Sequence, residues 1–531
     1  MPNTSLAEHC QEIARRFLLT AVAVDDELSV SVDPPVRGNL VKPGRGAATR
    51  APRPATSHPY LRRSLEIRPL TWSFARQGMV CGVVSPQEEQ GDHRALAKAV
   101  AGADIVILDW KLNPKRGEDA APLLEQILSQ DQANRLRLIA FYTGEPNHHE
   151  VRKGIRASLR SLDATDQADF TGGDDHGPID FRGCRIVLYA KPDSSAPKPV
   201  EIVREKDLAN RLIADFADMV EGLLPSLVLT ALAAVRENVY EVLQRFGEDL
   251  DPAFLTHRAC LPQPADSEQH IVEQIASELR AIMDDVVTRR SPAGIEAIKR
   301  WLKGRFGNDP VAFGNGKEMS QQEVLEMLKH GVEKKRGPFK KDGKDYHVLS
   351  GGFSRCPEDG RELDLRLASA MSLRQVLADT ERQLSMGTVV QRIGEAPKTL
   401  LCVTPKCDSV RLPKRSSFLF VPLSKPESRT PKVVVPEGGN GHRLMTISMK
   451  PSGWCMADFD PDPDRQCVIA HWNGGDQVHT FKDACGREYR WVGELKQEFA
   501  QSIAQAIAER TSRMPLDMSE WLRRSERSSK R

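Results

Sequence analysis

The sequence lacks a dominant charge: 75 Lys+Arg stand against 73 Asp+Glu, a formal net charge of +2 over 531 residues. No global electrostatic case for nucleic acid or a membrane surface can therefore be made, and any basic footprint has to be local. Long apolar runs are missing too. The longest near the start, FLLTAVAV at 17–24, is far shorter than the roughly 20 residues that span a bilayer, and it runs into two aspartates with no small-residue cleavage site in view. The expectation is a cytoplasmic protein without a membrane partner. Closely paired cysteines are few, the ten being scattered over the whole length, which points to reduced thiols rather than a disulfide framework. No internal repeat is present. What remains is ordinary: 40% hydrophobic and 28% charged residues exclude wholesale disorder, and the length implies two to four domains at about 150 residues each.

Residues 11–224 alternate apolar runs with helical patterns, the βαβ rhythm of a parallel sheet covered on both faces. The pattern predicts strands at 17–24, 79–84, 104–109, 136–142 and 184–190. Helices are expected near 71–77, 92–103, 118–131, 149–163 and from 205. This is an α/β, flavodoxin-like (βα)5 domain, a fold that binds ligands at the carboxyl ends of its strands. Residues 28–68 break the rhythm with a Pro-, Gly- and Arg-dense insertion whose charge between 31 and 68 comes to +6. A helical and basic middle region is expected over 225–345, with Pro225 a break or kink in the helical pattern of 205–247. Helical blocks follow at 266–287 and around QQEVLEMLKHGVEKK, and the stretch 288–345 also carries +6. Residues 346–531 form the third domain, mixed and mostly β after about 398, where short apolar segments such as SFLFVPL and KVVVP are separated by Pro and Gly. A helix at 493–511 closes it.

Polar residues cap the strands of the first domain: Asp25 and Asp26 after the first, Asp109 after the third, Thr143 and Gly144 after the fourth, Lys191 after the fifth. In a parallel sheet these ends converge on one edge. Three carboxylates brought together repel one another unless a hard cation with oxygen ligands neutralises them, and Mg²⁺ suits such a set. A lysine ammonium, a hydroxyl and the metal are together what a transferring phosphoryl group needs around its oxygens, and an aspartate can attack phosphorus to become an aspartyl phosphate.

In VAVDDE (22–27), IVILDWKL (105–112), AFYTGE (140–145) and LYAKP (188–192) the chain resembles the receiver domain of response regulators. The resemblance implies that Asp109 accepts the phosphoryl group and that Asp25, Asp26, Asp109 and the Lys111 backbone carbonyl hold Mg²⁺. Thr143 and Lys191 would bind the phosphoryl oxygens, with a histidine-kinase-like ATPase as donor. Large receiver proteins of uncharacterised output are similar to those encoded beside such ATPases in prokaryotic conflict and defence loci, which implies a two-component role in anti-phage defence. The chain departs from the family in one place. The aromatic residue usually found three before the lysine is here Leu188, and Tyr189 stands one later, on the other face of a regular strand unless a bulge intervenes. Lys111 and Glu145 flank the site and could pair across its mouth.

Beyond the receiver, the apolar helical faces of 205–287 suit a bundle or a homodimer seam. Cys402, Cys407, Cys455, Cys467 and Cys485 with His471 and His479 could offer zinc ligands, but only one tight cysteine pair occurs, and buried thiols are the preferred reading. The basic stretch 288–345, with Trp301, Phe306, Phe313 and Phe339, is compatible with phosphate-backbone contacts, although a solvated helical face is the preferred reading. Two other functions follow from these features: a receiver-regulated nucleic-acid-binding or nuclease effector, and a phosphorylation-independent scaffold. No enzyme motif is recognised apart from the receiver's own phosphoryl transfer and dephosphorylation.

Overall fold

Near the start of the chain, Ser5 and Glu8 cap each other reciprocally. The Ser5 hydroxyl accepts from Glu8 N at 3.2 Å and the Glu8 carboxylate accepts from Ser5 N at 2.7 Å, opening helix α1 (Leu6–Phe17). The computed structural model describes residues 5–29, 64–86, 93–113, 118–130, 135–162, 177–192, 200–313, 316–332, 346–377, 380–394, 397–426, 432–437, 441–448, 450–474 and 478–511. The chain divides into two compact units, residues 1–308 and 309–531.

In the first unit, β1 (Thr20–Val24), β2 (Val80–Val84), β3 (Ile105–Leu108), β4 (Arg137–Thr143), β5 (Ile179–Phe181) and β6 (Cys184–Ala190) form one sheet in the order β2-β1-β3-β4-β6-β5. The pairings among β2, β1, β3, β4 and β6 are parallel, and all seven residues of β4 are buried, as a strand covered on both faces requires. Helices α2 (Ile67–Ala75), α3 (His93–Ala101), α4 (Ala121–Gln130), α5 (His148–Ser161) and α6 (Glu205–Met219) follow the expected rhythm within a few residues. Alternation sorts the side chains: Ala21, Ala23, Ile107, Ala140 and Tyr189 face α1, α2 and α6, while Val106, Leu108, Ile139, Phe141 and Ile186 face α3, α4 and α5.

Three features depart from the expected pattern. α1 precedes the sheet where no element was expected. β5 adds an antiparallel edge strand, because Arg182 (φ 45°) and Gly183 (φ 80°) both take the left-handed conformation that a two-residue hairpin turn needs. The break after α6 falls at Gly222 (φ 148°), and Pro225 sits in the first turn of α7 (Leu223–Glu237), where a missing N–H costs little.

α7 belongs to the same unit as the sheet and packs on α1. Its Arg236 donates to Phe17 O at 2.7 Å and to Asp104 Oδ2 at 3.2 Å. That buried Asp104 also accepts from Leu19 N (2.8 Å) and Thr20 N (3.2 Å), so one ion pair ties α7 to the entry of β1. Helices α8 (Val239–Arg245), α9 (Asp251–Cys260), α10 (Asp266–Arg290) and α11 (Ile295–Phe306) complete the unit. Residues 30–63 of the basic insertion lie outside the described residues. Its two stems pair in parallel, Leu28 with Leu65 and Ser29 with Glu66, immediately after the acidic pair, and α2 begins at Ile67, inside the expected insertion.

The second unit begins with a hairpin of β7 (Val311–Phe313) and β8 (Lys317–Met319), followed by α12 (Gln321–His330), α13 (His347–Ser354) and α14 (Gly360–Ser372). Nine antiparallel strands follow: β9 (Thr388–Arg392), β10 (Lys398–Cys402), β11 (Ser416–Ser424), β12 (Lys432–Glu437), β13 (Gly441–Ile447), β14 (Cys455–Phe459), β15 (His471–Asn473), β16 (Val478–Lys482) and β17 (Glu488–Glu494). Their order is β12-β13-β11-β10-β9-β17-β16-β15, with β14 on β11. One face packs on α15 (Gln497–Thr511) through Ala500, Ile503 and Ile507, and the other builds an aromatic core of Phe418, Phe420, Phe459, Phe481 and Tyr489. No single helix among the described residues is long and apolar enough to cross a membrane.

Candidate functional site

The backbone ladder of the first sheet runs one step past its strands and fixes the candidate residues. Asp25 N donates to Val84 O (3.2 Å), Asp109 N to Val24 O (3.0 Å) and Lys191 N to Thr143 O (2.9 Å). Residues 166 positions apart in sequence thereby reach one edge, where Lys191 Nζ donates to Asp25 Oδ2 at 2.7 Å and to Asp109 Oδ2 at 2.5 Å. Asp25, Asp109, Thr143 and Lys191 are all buried, and Asp26 is half-buried. Ligand oxygens of Asp25, Asp26 and Asp109 all lie within 4.8 Å of one another.

Short turns hold the side chains in place. Asp25 Oδ1 accepts from Glu27 N at 2.9 Å, Asp109 Oδ1 from Lys111 N at 3.4 Å and Thr143 Oγ1 from Glu145 N at 3.2 Å. Each is a side chain bonding the backbone two residues on, the local geometry that Asp and Thr favour at strand exits. Lys111 and Glu145 form no ion pair among the described residues, so the expected bridge across the mouth does not form; Lys111 instead bonds Asp109 through its backbone.

The electrostatics are those of crowded, poorly solvated carboxylates. Burial pushes Asp25 up to about 7, against the pull of Lys191 and with the push of Asp109. Burial also raises Asp26 to about 6, with the charges of Asp109 and Glu27 adding to it. For Lys191, burial alone would lower the pKa, but the carboxylates of Asp109 and Asp25 more than offset it and hold it above the ordinary lysine value. Three acidic side chains whose oxygens gather at one edge, two of them on Lys191, fit a hard divalent cation.

Tyr189 is settled by the strand register. β6 pairs with β4 from Cys184–Arg137 through Ala190–Thr143 without a bulge, so Leu188 packs on the α5 side and Tyr189 on the α6 side. The Tyr189 hydroxyl donates to Asp215 Oδ2 at 2.5 Å and accepts from Arg211 Nε at 2.7 Å.

Trp110, which the sequence reading passed over, follows Asp109 directly and is 5% exposed. Its ring fills a notch over Gly154 of α5, where an added Cβ would come within 2.5 Å of Cη2, and it meets Phe141 edge-on at 5.7 Å. A tryptophan just past a strand-end aspartate, with a glycine inside a helical pattern, was the available signal. The cysteines and histidines offered for zinc form no metal-ligating group among the described residues, and Cys402 and Cys467 are buried free thiols.

A parallel sheet with a lysine-bridged acidic cluster at its carboxyl edge defines an α/β domain with a candidate cation site. Residues 17–196 match the family model of the response receiver domain, and the first domain belongs to that family. Neither a curated protein nor a solved structure matches the chain. The receiver domain supports a response-regulator-like signalling role.

Proposed function

We propose that Asp109 is the phosphoacceptor of this receiver and that a histidine-kinase-like ATPase is its donor. The observation that carries this reading is the double contact of Lys191 Nζ with Asp25 and Asp109 beside Asp26. One Asp109 oxygen attacks phosphorus while the bond from phosphorus to the donor imidazole nitrogen breaks. The bonding pair leaves with the imidazole, and an aspartyl phosphate anhydride forms. The Lys191 ammonium stays against the new phosphoryl oxygens, and the Thr143 hydroxyl, at the end of the neighbouring strand, donates to one of them after leaving Glu145 N. Mg²⁺ held by Asp25, Asp26, Asp109 and the Lys111 carbonyl would supply charge neutralisation at the transferring group. Hydrolysis of the anhydride by water returns the site to its starting state.

Incubation with Mg²⁺ and acetyl phosphate, followed by intact-mass measurement and peptide mapping, tests the reading. It requires a Mg²⁺-dependent gain of one phosphoryl group on Asp109 that Asp109→Asn abolishes. Absence of that gain, together with failure to bind beryllofluoride, overturns it.

A further inference from the structure

The curved sheet of the second unit carries a groove of about 470 Å³, lined by both ends of the strand order, β12 and β13 on one side and β16 and β17 on the other. On its inner face Val389, Leu401, Val435 and Met445 belong to the apolar core. The same face then turns polar. Thr399, Gln391 and Arg490 are direct cross-strand neighbours on β10, β9 and β17, two residues along from Leu401 and Val389, so alternation points them into the groove.

Among the described residues none of these three side chains makes a hydrogen bond or an ion pair. Thr399 and Gln391 are half-buried and Arg490 is exposed, so the row presents free donors and acceptors to a partner entering the groove. The remaining walls indicate what that partner is. Arg443, paired with Glu437, adds a second guanidinium. Trp472 is 59% exposed and lies against His479, whose Nδ1 is buried without a partner among the described residues. Arginine forks match phosphate oxygens, an exposed indole offers a face for a flat ring, and a glutamine amide can both donate to and accept from a base edge. The volume lies in the range of small-ligand pockets.

We propose that this groove binds a nucleoside monophosphate, with Arg490 and Arg443 on the phosphate, Trp472 stacked on the base and Gln391 reading its edge. The site lies wholly in the second unit and does not depend on the receiver reading, so it would give the chain a second input.

Isothermal titration calorimetry of the full chain with AMP, GMP, CMP and UMP, each in turn, tests it, with ribose 5-phosphate, inorganic phosphate and a short single-stranded oligonucleotide as comparisons. The expected result is saturable binding of at least one nucleotide below about 1 mM. Arg490→Gln and Trp472→Ala should each weaken it about tenfold or more, with Arg490→Lys retaining part of the affinity. Both positions are exposed, and an unchanged circular dichroism spectrum would confirm that the variants fold. Absence of saturable binding by all four nucleotides overturns the proposal, as does binding indifferent to both substitutions. Equal affinity for ribose 5-phosphate or inorganic phosphate would reduce the groove to an anion site and also overturn it, as would binding of the oligonucleotide alone.

Discussion

Replacing Lys191 with methionine removes the cation that, among the described residues, bridges Asp25 and Asp109. The three side chains are 2%, 3% and 10% exposed, so the variant leaves two carboxylates facing each other with little water to screen them. Breaking a buried pair by removing one partner costs about 3–5 kcal/mol, because the abandoned charge keeps its desolvation penalty. The cost depends on pH with a definite sign. Asp25 already sits at about 7 rather than 3.8, raised by burial against the pull of Lys191, and it moves higher once the ammonium is gone. A carboxyl raised in the folded state holds a proton that the unfolded chain has released, so its stabilising contribution is full below about 4 and is lost as pH rises through 7. The deficit of the variant should therefore be small near pH 5 and approach its full size at pH 8. Mg²⁺ should return at least as much stability to the variant as to the parent, about 2.7 kcal/mol at a hundredfold excess over its dissociation constant. Urea unfolding read by pulse proteolysis, following fragments of residues 5–308 separately from the second unit, measures this in chelator and in Mg²⁺ at both pH values. A deficit below about 1 kcal/mol at pH 8 in chelator, or one that does not change with pH, would refute the reasoning.

Two further substitutions probe the surroundings of the site. Tyr189→Phe removes the hydroxyl between Asp215 and Arg211 and should cost about 1–3 kcal/mol in the same unfolding assay, while the acetyl phosphate adduct forms as in the parent; loss of the adduct would place Tyr189 in the phosphorylation step. Gly154→Ala should gain up to about 1 kcal/mol of helix propensity yet destabilise by about 1–3 kcal/mol overall, because the new methyl meets the Trp110 ring at 2.5 Å. Trp110→Phe in the same chain should recover part of that loss in a thermal-shift measurement, and a neutral or stabilising Gly154→Ala would show that the notch is not tight.

The receiver sheet was legible because each of its five parallel strands is an apolar run and its polar ends fall in a fixed order, so Asp25, Asp109, Thr143 and Lys191 could be placed on one edge from spacing alone. The contacts among them were not legible. Nothing in the spacing says that one ammonium reaches both Asp25 and Asp109, or that Lys111 turns its backbone to Asp109 while its side chain leaves Glu145 alone. β5 escaped notice because a three-residue strand has no periodicity to read and its turn is Arg182-Gly183 rather than the Asn-Gly that announces a hairpin. α1 was legible in principle, since Ser5 and Glu8 spell a capping box, but the apolar run beginning at Phe17 joins the helix end to the strand without a break in pattern. The polar row of Thr399, Gln391 and Arg490 could not have been assembled from sequence, since it depends on the register of three strands drawn from two distant stretches.

The register of β6 also bears on how a phosphoryl group at this edge could be felt elsewhere. In the usual receiver arrangement an aromatic residue three before the lysine turns inward when the threonine moves. Here that place is Leu188, already packed on the α5 side, and the nearest aromatic is committed to the opposite face. For Tyr189 to turn it would abandon bonds to Asp215 and Arg211, and hydrogen bonds to charged groups are worth about 1.5–3 kcal/mol each. It would also uncover Asp215, whose carboxyl burial has already raised to about 6, and loosen Arg211 from Glu201. A charge of nearly two units on Asp109 can bias the protein only through groups whose interactions it changes. Tyr189 reaches that site through none of its hydrogen bonds. Trp110 is joined to Asp109 by one peptide bond, is wedged against Gly154 and has its carbonyl bonded by Ala120 N at 2.8 Å at the start of α4. A shift of the Asp109 backbone is therefore felt first by α4 and α5, on the face of the sheet that Tyr189 does not share.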